Sequence, residues 1–329
     1  MTRMTMSEAI VEAIGDAMAA DSSIFLMGQD IGEFGGPMNS SKGLWERFGP
    51  QDALIDAPIS EAAMVGTAIG AAMAGARPIV DLMFGEFVNL AMTPLGLEGA
   101  SVAFRTAGGL TVPVVVRAKY GTGPHRGHPE TPVGALMNFP GLKIVAPTTP
   151  QDSYSLMSAA IADPNPVVFL EHMSLLHAGR GNVDRNQQVP IGAADVVHDG
   201  DDVTIVTSGM MVKRAVRAAK QLAKEGIAAE IVDLRTIKPL DVPTILRSAQ
   251  KTQALLLVEE SWPTGGPTSE ICTQIVRHAS LDGGSCRIDV LAPPDVPIPY
   301  AQSLENSYLP DTVRIVDAVK TLVKTEVAV

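Results

Sequence analysis

The sequence predicts an α/β protein of two doubly wound domains, residues 1–180 and 195–329, joined by a linker at 181–194. Three observations predict it. Short apolar runs alternate with helical stripes along most of the chain, which implies parallel sheets with helices on both faces. The rhythm breaks between residues 173 and 199, where Gly179, Gly181, Asn182 and Pro190 suit a connection, and then restarts. Hydrophobic residues make up 46% of the 329 residues but aromatics only 4%, a balance that favours close helix-on-sheet packing by small side chains. A chain of this length exceeds one ordinary core.

The elements follow in order. Ile10, Ala13, Ile14, Ala17 and Met18 fall on one helical face. Residues 24–27 form a short apolar strand closed by Gly28. Residues 30–43, with Asp30, Gly32, Gly35, Gly36, Pro37 and Asn39, read as a loop. A strand at 53–55 comes next, then Ser60, placed to cap a helix from 61 to about 74. Arg77-Pro78 ends that helix and a strand begins at 79–83. A helix near 88–104, strands at 112–117 and 143–145, a helix at 151–162 and a strand at 167–170 complete the first domain. In the second, strand 203–207 precedes a helical stripe of Val212, Ala215, Val216, Ala219 and Leu222. Buried strands at 229–234 and 255–258 and helices near 243–250, 265–279 and 312–325 finish the pattern.

A net charge of −11 repels phosphate backbones and argues against nucleic-acid binding. No apolar run reaches the roughly 18 residues of a spanning helix. The N-terminus, from Met1 to Glu8, lacks the charged-then-apolar order of a signal peptide and is expected to be a mature cytoplasmic start. Cys272 and Cys286 form no CxxC pair, so they read as plain thiols. Neither GxGxxG nor GxxxxGK[ST] occurs, which disfavours nicotinamide and ATP enzymes.

Two segments can carry chemistry. Pro58-Ile59-Ser60-Glu61 places a carboxylate in the first turn of an apolar, small-residue helix. Glu61 either complements the helix dipole or serves a ligand. Gly66, Gly70 and Ala74 at four-residue spacing imply close backbone approach, to the helix's own sheet or to a partner subunit. The second segment is the loop Tyr120-Gly121-Thr122-Gly123-Pro124-His125-Arg126-Gly127-His128-Pro129-Glu130, which follows a strand. Loops at strand ends carry ligand sites in open α/β sheets. The two histidines lack a third metal ligand, leaving a solvated loop or an acid/base role.

Many segments of the chain are similar to one family. They include Phe34-Gly35-Gly36, Phe48-Gly49-Pro50, Pro58-Ile59-Ser60-Glu61 and the run from Gly70 to Pro78. They continue with Pro140-Gly141-Leu142-Lys143, the run from Asn165 to His172, that from Asp233 to Asp241, Pro294-Asp295-Val296-Pro297-Ile298-Pro299 and Tyr308-Leu309-Pro310-Asp311. In this order, almost end to end, the chain resembles the beta subunit of thiamine-diphosphate-dependent 2-oxo acid dehydrogenases.

That resemblance implies a thiamine-pyrimidine-binding domain followed by a transketolase C-terminal-like domain. It implies oxidative decarboxylation of a 2-oxo acid, with acyl transfer to a lipoyl domain. Glu61 would share a proton with the N1' nitrogen of the cofactor's aminopyrimidine, and the cofactor would act as electron sink. Ile59, Met83 and Phe87 would line the cofactor, with Phe87 packed on the pyrimidine. Counting back from Pro140, His128 falls where the family has its active-site histidine. Val114, Ala160, Asp163 and Asn165 match a potassium site built largely from carbonyl oxygens, although Asp163-Pro164-Asn165 also reads as a plain turn. The GDG motif that holds diphosphate and Mg2+ is missing, so the alpha subunit would supply it in an alpha2-beta2 heterotetramer. A lipoyl acyltransferase core would be a further partner.

The chain departs from the family at two places. Residues 93–101 read Thr-Pro-Leu-Gly-Leu-Glu-Gly-Ala-Ser where the family has Asp-Gln and Asn-Gln-Ala-Ala-Lys. Around the histidine, Ala-Gln-His-Ser-Gln is replaced by Arg126-Gly127-His128-Pro129-Glu130, which makes His125 a rival for the role. A thiamine-dependent carboligase with another acceptor and a non-catalytic beta-like partner are the alternatives these departures leave open.

Overall fold

The computed structural model describes residues 1–123, 127–282 and 286–324. The chain divides into two compact units, Met1–Pro132 with Leu136–Ile191, and Val133–Ala135 with Gly192–Val329.

The first unit begins with β1 (Thr2–Met4) and α1 (Met6–Ala20). A capping box starts α1: Thr5 Oγ1 accepts from the Glu8 amide at 3.2 Å and Glu8 Oε2 accepts from the Thr5 amide at 2.9 Å. β2 (Ile24–Gly28), α2 (Leu44–Phe48), β3 (Leu54–Asp56), α3 (Glu61–Met73) and β4 (Arg77–Phe84) follow. Then come α4 (Val102–Arg105), β5 (Val115–Tyr120), α5 (Val133–Met137, of which Val133–Ala135 are counted with the second unit), β6 (Lys143–Val145), α6 (Pro150–Ala162), β7 (Val167–His172) and β8 (Gly181–Val183). Parallel strands run in the order β6-β7-β5-β4-β2-β3. Their interior side chains, among them Leu26, Val80, Val116 and Val168, are fully buried. α1 packs on α6, and α3 packs on β4.

Four expectations are revised. The helix placed near 88–104 is instead 3-10 turns at Gly85–Ala91 and Gly99–Ser101, a π turn at Thr93–Glu98, and the short α4. Pro94 has no N–H to donate, and Gly96 and Gly99 weaken a regular helix. Part of the expected linker is structured, because β8 pairs antiparallel with β1, Thr2 opposite Val183 and Met4 opposite Gly181. Arg180 to Glu8 at 2.6 Å and Arg185 to Glu12 at 2.5 Å tie the same stretch to α1. Ser60 occupies the N-cap position of α3 without a side-chain capping bond; its carbonyl accepts from the Met64 amide at 2.9 Å. Finally, a Cβ on Gly70 would meet nothing within 4 Å, so the close approach to its own sheet does not occur there.

Gly141 shows where a side chain is forbidden. Its φ is +87°, and a Cβ would lie 2.1 Å from the Ala100 carbonyl oxygen. Gly141→Ala is expected to destabilise the protein by at least about 2 kcal/mol, since the left-handed backbone alone costs about 1–2. The midpoint of urea unfolding measures it; an unchanged midpoint would contradict this packing.

The second unit contains β9 (Asp195–His198), β10 (Val203–Thr207), α7 (Met210–Leu222), β11 (Ala229–Asp233), β12 (Thr236–Lys238), α8 (Val242–Thr252) and β13 (Ala254–Val258). α9 (Pro267–Asp282), β14 (Arg287–Leu291), α10 (Gln302–Tyr308) and α11 (Thr312–Lys324) complete it. Its sheet runs β14-β13-β10-β11-β9, parallel except for β9. Ala215, Ala219 and Leu222 of α7 and Ile315 and Val319 of α11 form one core with Ile205, Ile231 and Leu256. These are the period-3.6 stripe and the period-2 strand faces that the sequence carries. Among the described residues of the whole chain, no single helix is long and apolar enough to cross a membrane.

Candidate active site

In the first unit, β3 lies on one side of β2 and the chain then returns to β4 on the other. The carboxyl ends of β2 and β4 therefore flank a point where the strand order reverses, where open α/β sheets bind ligands. Gln29 follows β2, Ile59 and Glu61 follow β3, and Met83 to Phe87 stand at the end of β4.

Glu61 is the first residue of α3 and is 6% exposed. The helix N-terminus favours its negative charge. Gln29 Nε2 donates to Glu61 Oε1 at 3.3 Å. Among the described residues Gln29 is the hydrogen-bond partner of this carboxylate, so the second oxygen is available to a ligand. Ile59, two residues earlier, is 82% exposed, an apolar surface that a ring or a partner could cover. The Ile31 amide donates to Asp56 Oδ1 at 3.3 Å and holds the loop after β2 near the end of β3.

At the end of β4 the register with β5 shifts between Asp81 and Phe84, and Met83 adopts φ +66°. Such bulges re-aim side chains beside sites. The strained residue is held by its neighbour: the Met83 amide donates to Asp81 Oδ1 at 2.9 Å. Asp81 in turn belongs to a buried set of four charges. Lys119 Nζ lies 2.8 and 2.9 Å from its two oxygens, Arg117 Nη1 lies 3.6 Å away, and Arg117 Nε donates to Glu171 Oε1 at 2.6 Å. All four side chains are at most 1% exposed. Burial works to raise the Asp81 carboxyl, but the Lys119 and Arg117 charges and the bonds from Lys119 and the Met83 amide hold it far below the usual carboxylate range.

His128 stacks on Phe84, with centroids 4.4 Å apart and planes at 21°, and meets the Phe87 ring edge-on at 5.1 Å. Its Nδ1 contacts Glu86 Oε1. Burial, then the charge of Glu86, raises the carboxyl of nearby Glu130. His125 lies outside the described residues.

The four residues matched to a potassium site lie at the other end of the sheet, where β5 and β7 begin. The Val114 carbonyl accepts from the Val167 amide at 3.0 Å, and the Ala160 carbonyl accepts from the Asp163 amide at 3.3 Å. The Asp163 carboxylate is held by Lys143 Nζ and by the Asn165 amide at 2.9 Å. A cation here would thus meet carbonyl oxygens, because the carboxylate is already engaged by an ammonium.

The structure brings Phe87 and His128 together at the end of β4, the strand that also carries Met83, and sets Glu61 at the end of the neighbouring strand pair. Sequence reasoning missed Gln29, Glu86 and the buried charges. Gln29 directly follows the glycine that closes β2 and Glu86 directly precedes Phe87, so position was the available signal.

Residues 2–178 match the model of the transketolase pyrimidine binding domain, and residues 192–315 that of the transketolase C-terminal domain. The chain is 39% identical over 326 residues to the 2-oxoisovalerate dehydrogenase subunit beta of Bacillus subtilis, covering 98% of this chain and 99% of that one. It is also 39% identical over 337 residues to the acetoin:2,6-dichlorophenolindophenol oxidoreductase subunit beta of Cupriavidus necator, covering 98% of each. With the mitochondrial pyruvate dehydrogenase E1 component subunit beta-1 of Arabidopsis thaliana the identity is 39%, over 96% of this chain and 88% of that one. Among solved structures, a split-gene transketolase described as an inactive beta4 tetramer shares the fold, with a TM-score of 0.81 at 21% identity over 98% of this chain and 99% of that one.

Proposed function

The chain belongs to the family of beta subunits of thiamine-dependent 2-oxo acid dehydrogenases, and we propose that Glu61 and His128 are its catalytic residues, active when an alpha subunit completes the site. The observation that carries this reading is the buried Glu61 carboxylate at the start of α3, with one oxygen held by Gln29 and the other available. Thiamine diphosphate, when bound, supplies the electron sink for decarboxylation.

Each residue has a definable task. Glu61 shares a proton with a ring nitrogen through the oxygen that Gln29 leaves open. Gln29 fixes the carboxylate plane. Phe87 and Ile59 offer apolar surface to a flat ring, and Met83 is aimed by the bulge that Asp81 secures. His128, braced between two phenylalanines, holds or delivers a proton during acyl transfer.

Because the chain has no GDG motif, the proposal assigns Mg2+ and the diphosphate to the alpha subunit, in an alpha2-beta2 assembly that passes acyl groups to a lipoyl acyltransferase core. The carbonyls of Val114 and Ala160, with Asp163 and Asn165, are proposed to hold K+ in a structural role.

Coexpression with an alpha subunit carrying the GDG motif tests the proposal. The pair is expected to decarboxylate a 2-oxo acid and acylate a lipoyl domain, whereas this chain alone binds thiamine diphosphate weakly. A pair that decarboxylates but never acylates lipoyl would refute the acceptor; a lone chain binding the cofactor as tightly as the pair would refute the shared site.

A further inference from the structure

We propose that Glu86 is the positioning residue for His128, fixing the ring's tautomer and orientation through Nδ1. The inference rests on the reading that His128 serves the reaction, and it adds what makes that histidine competent. In the sequence only its place before Phe87 marks Glu86; the contact joins residues 42 apart in the chain.

Three features of the geometry support it. First, Glu86 Oε1 meets Nδ1, the nitrogen whose proton decides the tautomer. A neutral imidazole that donates from Nδ1 has its lone pair on Nε2, and a carboxylate at Nδ1 stabilises the ring when Nε2 takes up a proton. Second, the ring's remaining freedom is limited by Phe84 at 4.4 Å and Phe87 at 5.1 Å. Phe84, Glu86 and Phe87 come from a single stretch of four residues that starts at the last residue of β4, so stack, hydrogen bond and edge contact are set together. Third, the segment carrying His128 is seated on that stretch. A Cβ at Gly85 would lie 3.0 Å from the Glu130 carbonyl oxygen, 3.1 Å from Pro132 Cδ and 3.2 Å from Tyr120 Cβ. A side chain at this position would push on the backbone beyond His128, which would have to give by a few tenths of an ångström. Glu130 is the second carboxyl here; burial, then the charge of Glu86, pushes it upward.

Glu86 therefore acts through the histidine and need not touch the substrate. The proton count balances: one proton moves to Nε2 from the reacting group and returns, while the Nδ1 proton stays on the ring and donates to Glu86. No oxidant or further reactant is required.

The test is a double-mutant cycle in the assembled complex with its alpha subunit, followed by lipoyl acylation. Glu86→Ala is expected to lower kcat by about 10²-fold, the scale of a positioned acid/base group. KM for the 2-oxo acid and the affinity for thiamine diphosphate should change less than about threefold, because neither is touched. Glu86→Asp, which keeps the carboxylate on a shorter stem, should recover part of the loss. In a His128→Ala background, Glu86→Ala should add no further loss, since a positioning group has nothing left to position. Losses that multiply in the double variant would overturn the inference, as would Glu86→Ala with unchanged kcat in a complex where His128→Ala is impaired. If His128→Ala itself is silent, the underlying assignment of the histidine fails instead. Gly85→Val gives an independent arm. It should lower kcat in the wild-type background and leave His128→Ala unaffected; an equal loss in both backgrounds would also count against the inference.

Discussion

Glu61→Gln in the assembled complex is expected to lower 2-oxo acid turnover by about 10³-fold, within the range for a positioned acid/base group. The change is nearly isosteric. It keeps a hydrogen-bonding group at the first position of α3, where the carboxylate is 6% exposed. What it removes is the ability to share a proton. Gln29 Nε2 loses a charged acceptor at 3.3 Å but can still meet the amide oxygen, so local packing should survive. Thiamine diphosphate is therefore expected to remain bound, with its affinity reduced far less than turnover. Steady-state decarboxylation and a cofactor titration on the same preparation separate the two. Unchanged turnover would remove Glu61 from the mechanism.

Lys119→Met is expected to destabilise the protein by about 3–5 kcal/mol, the cost of leaving a partner charge buried and unpaired. Lys119 is 0% exposed and holds both oxygens of Asp81. Arg117 remains 3.6 Å away, so the freed carboxylate keeps only a more distant counter-charge. Adding Asp81→Asn should recover part of the loss by removing that stranded charge. The pH dependence has a definite sign. The carboxyl of Asp81 is depressed in the folded state, against burial, chiefly by Lys119 and Arg117. Its contribution is thus fully present above the unfolded value of about 4 and is lost as pH falls below it. The difference between wild type and Lys119→Met should be largest near neutral pH and narrow in acid. Urea unfolding at a series of pH values measures it; a difference independent of pH would point to lost packing alone.

Much of the fold was legible because burial imposes periods on sequence. Ala254–Val258 is a continuous apolar run, and Val203–Thr207 an apolar run with two threonines; both are buried on both faces, as strands of a covered parallel sheet must be. The stripe in α7 likewise falls on the core. The two-stranded sheet of β1 and β8 was illegible: three-residue strands show no alternation, and the charge pair that secures them joins Glu8 of α1 to Arg180, far along the chain. The broken segment after β4 looked helical because its apolar residues recur at helical spacing, while Pro94 decides its local geometry.

The site was legible to different depths. Glu61 announced itself as a lone acid opening an uncharged helix. Phe87 and His128 came from resemblance, and the structure adds that their rings touch. Asp81, Arg117, Lys119 and Glu171 each sit inside a strand-like run, where an isolated charge reads as an outward-facing position. Only the pairing of β4, β5 and β7 shows that these charges neutralise one another indoors.

The pairing of β1 with β8 also bears on biosynthesis. Thr2 is added to the growing chain long before Val183, an interval of roughly 10–35 s at elongation rates of about 5–20 residues per second. Throughout it, β1 lacks the strand it pairs with. A nascent chain truncated anywhere before β8 carries an open hem, and a stall late in translation of this half prolongs its exposure to other chains.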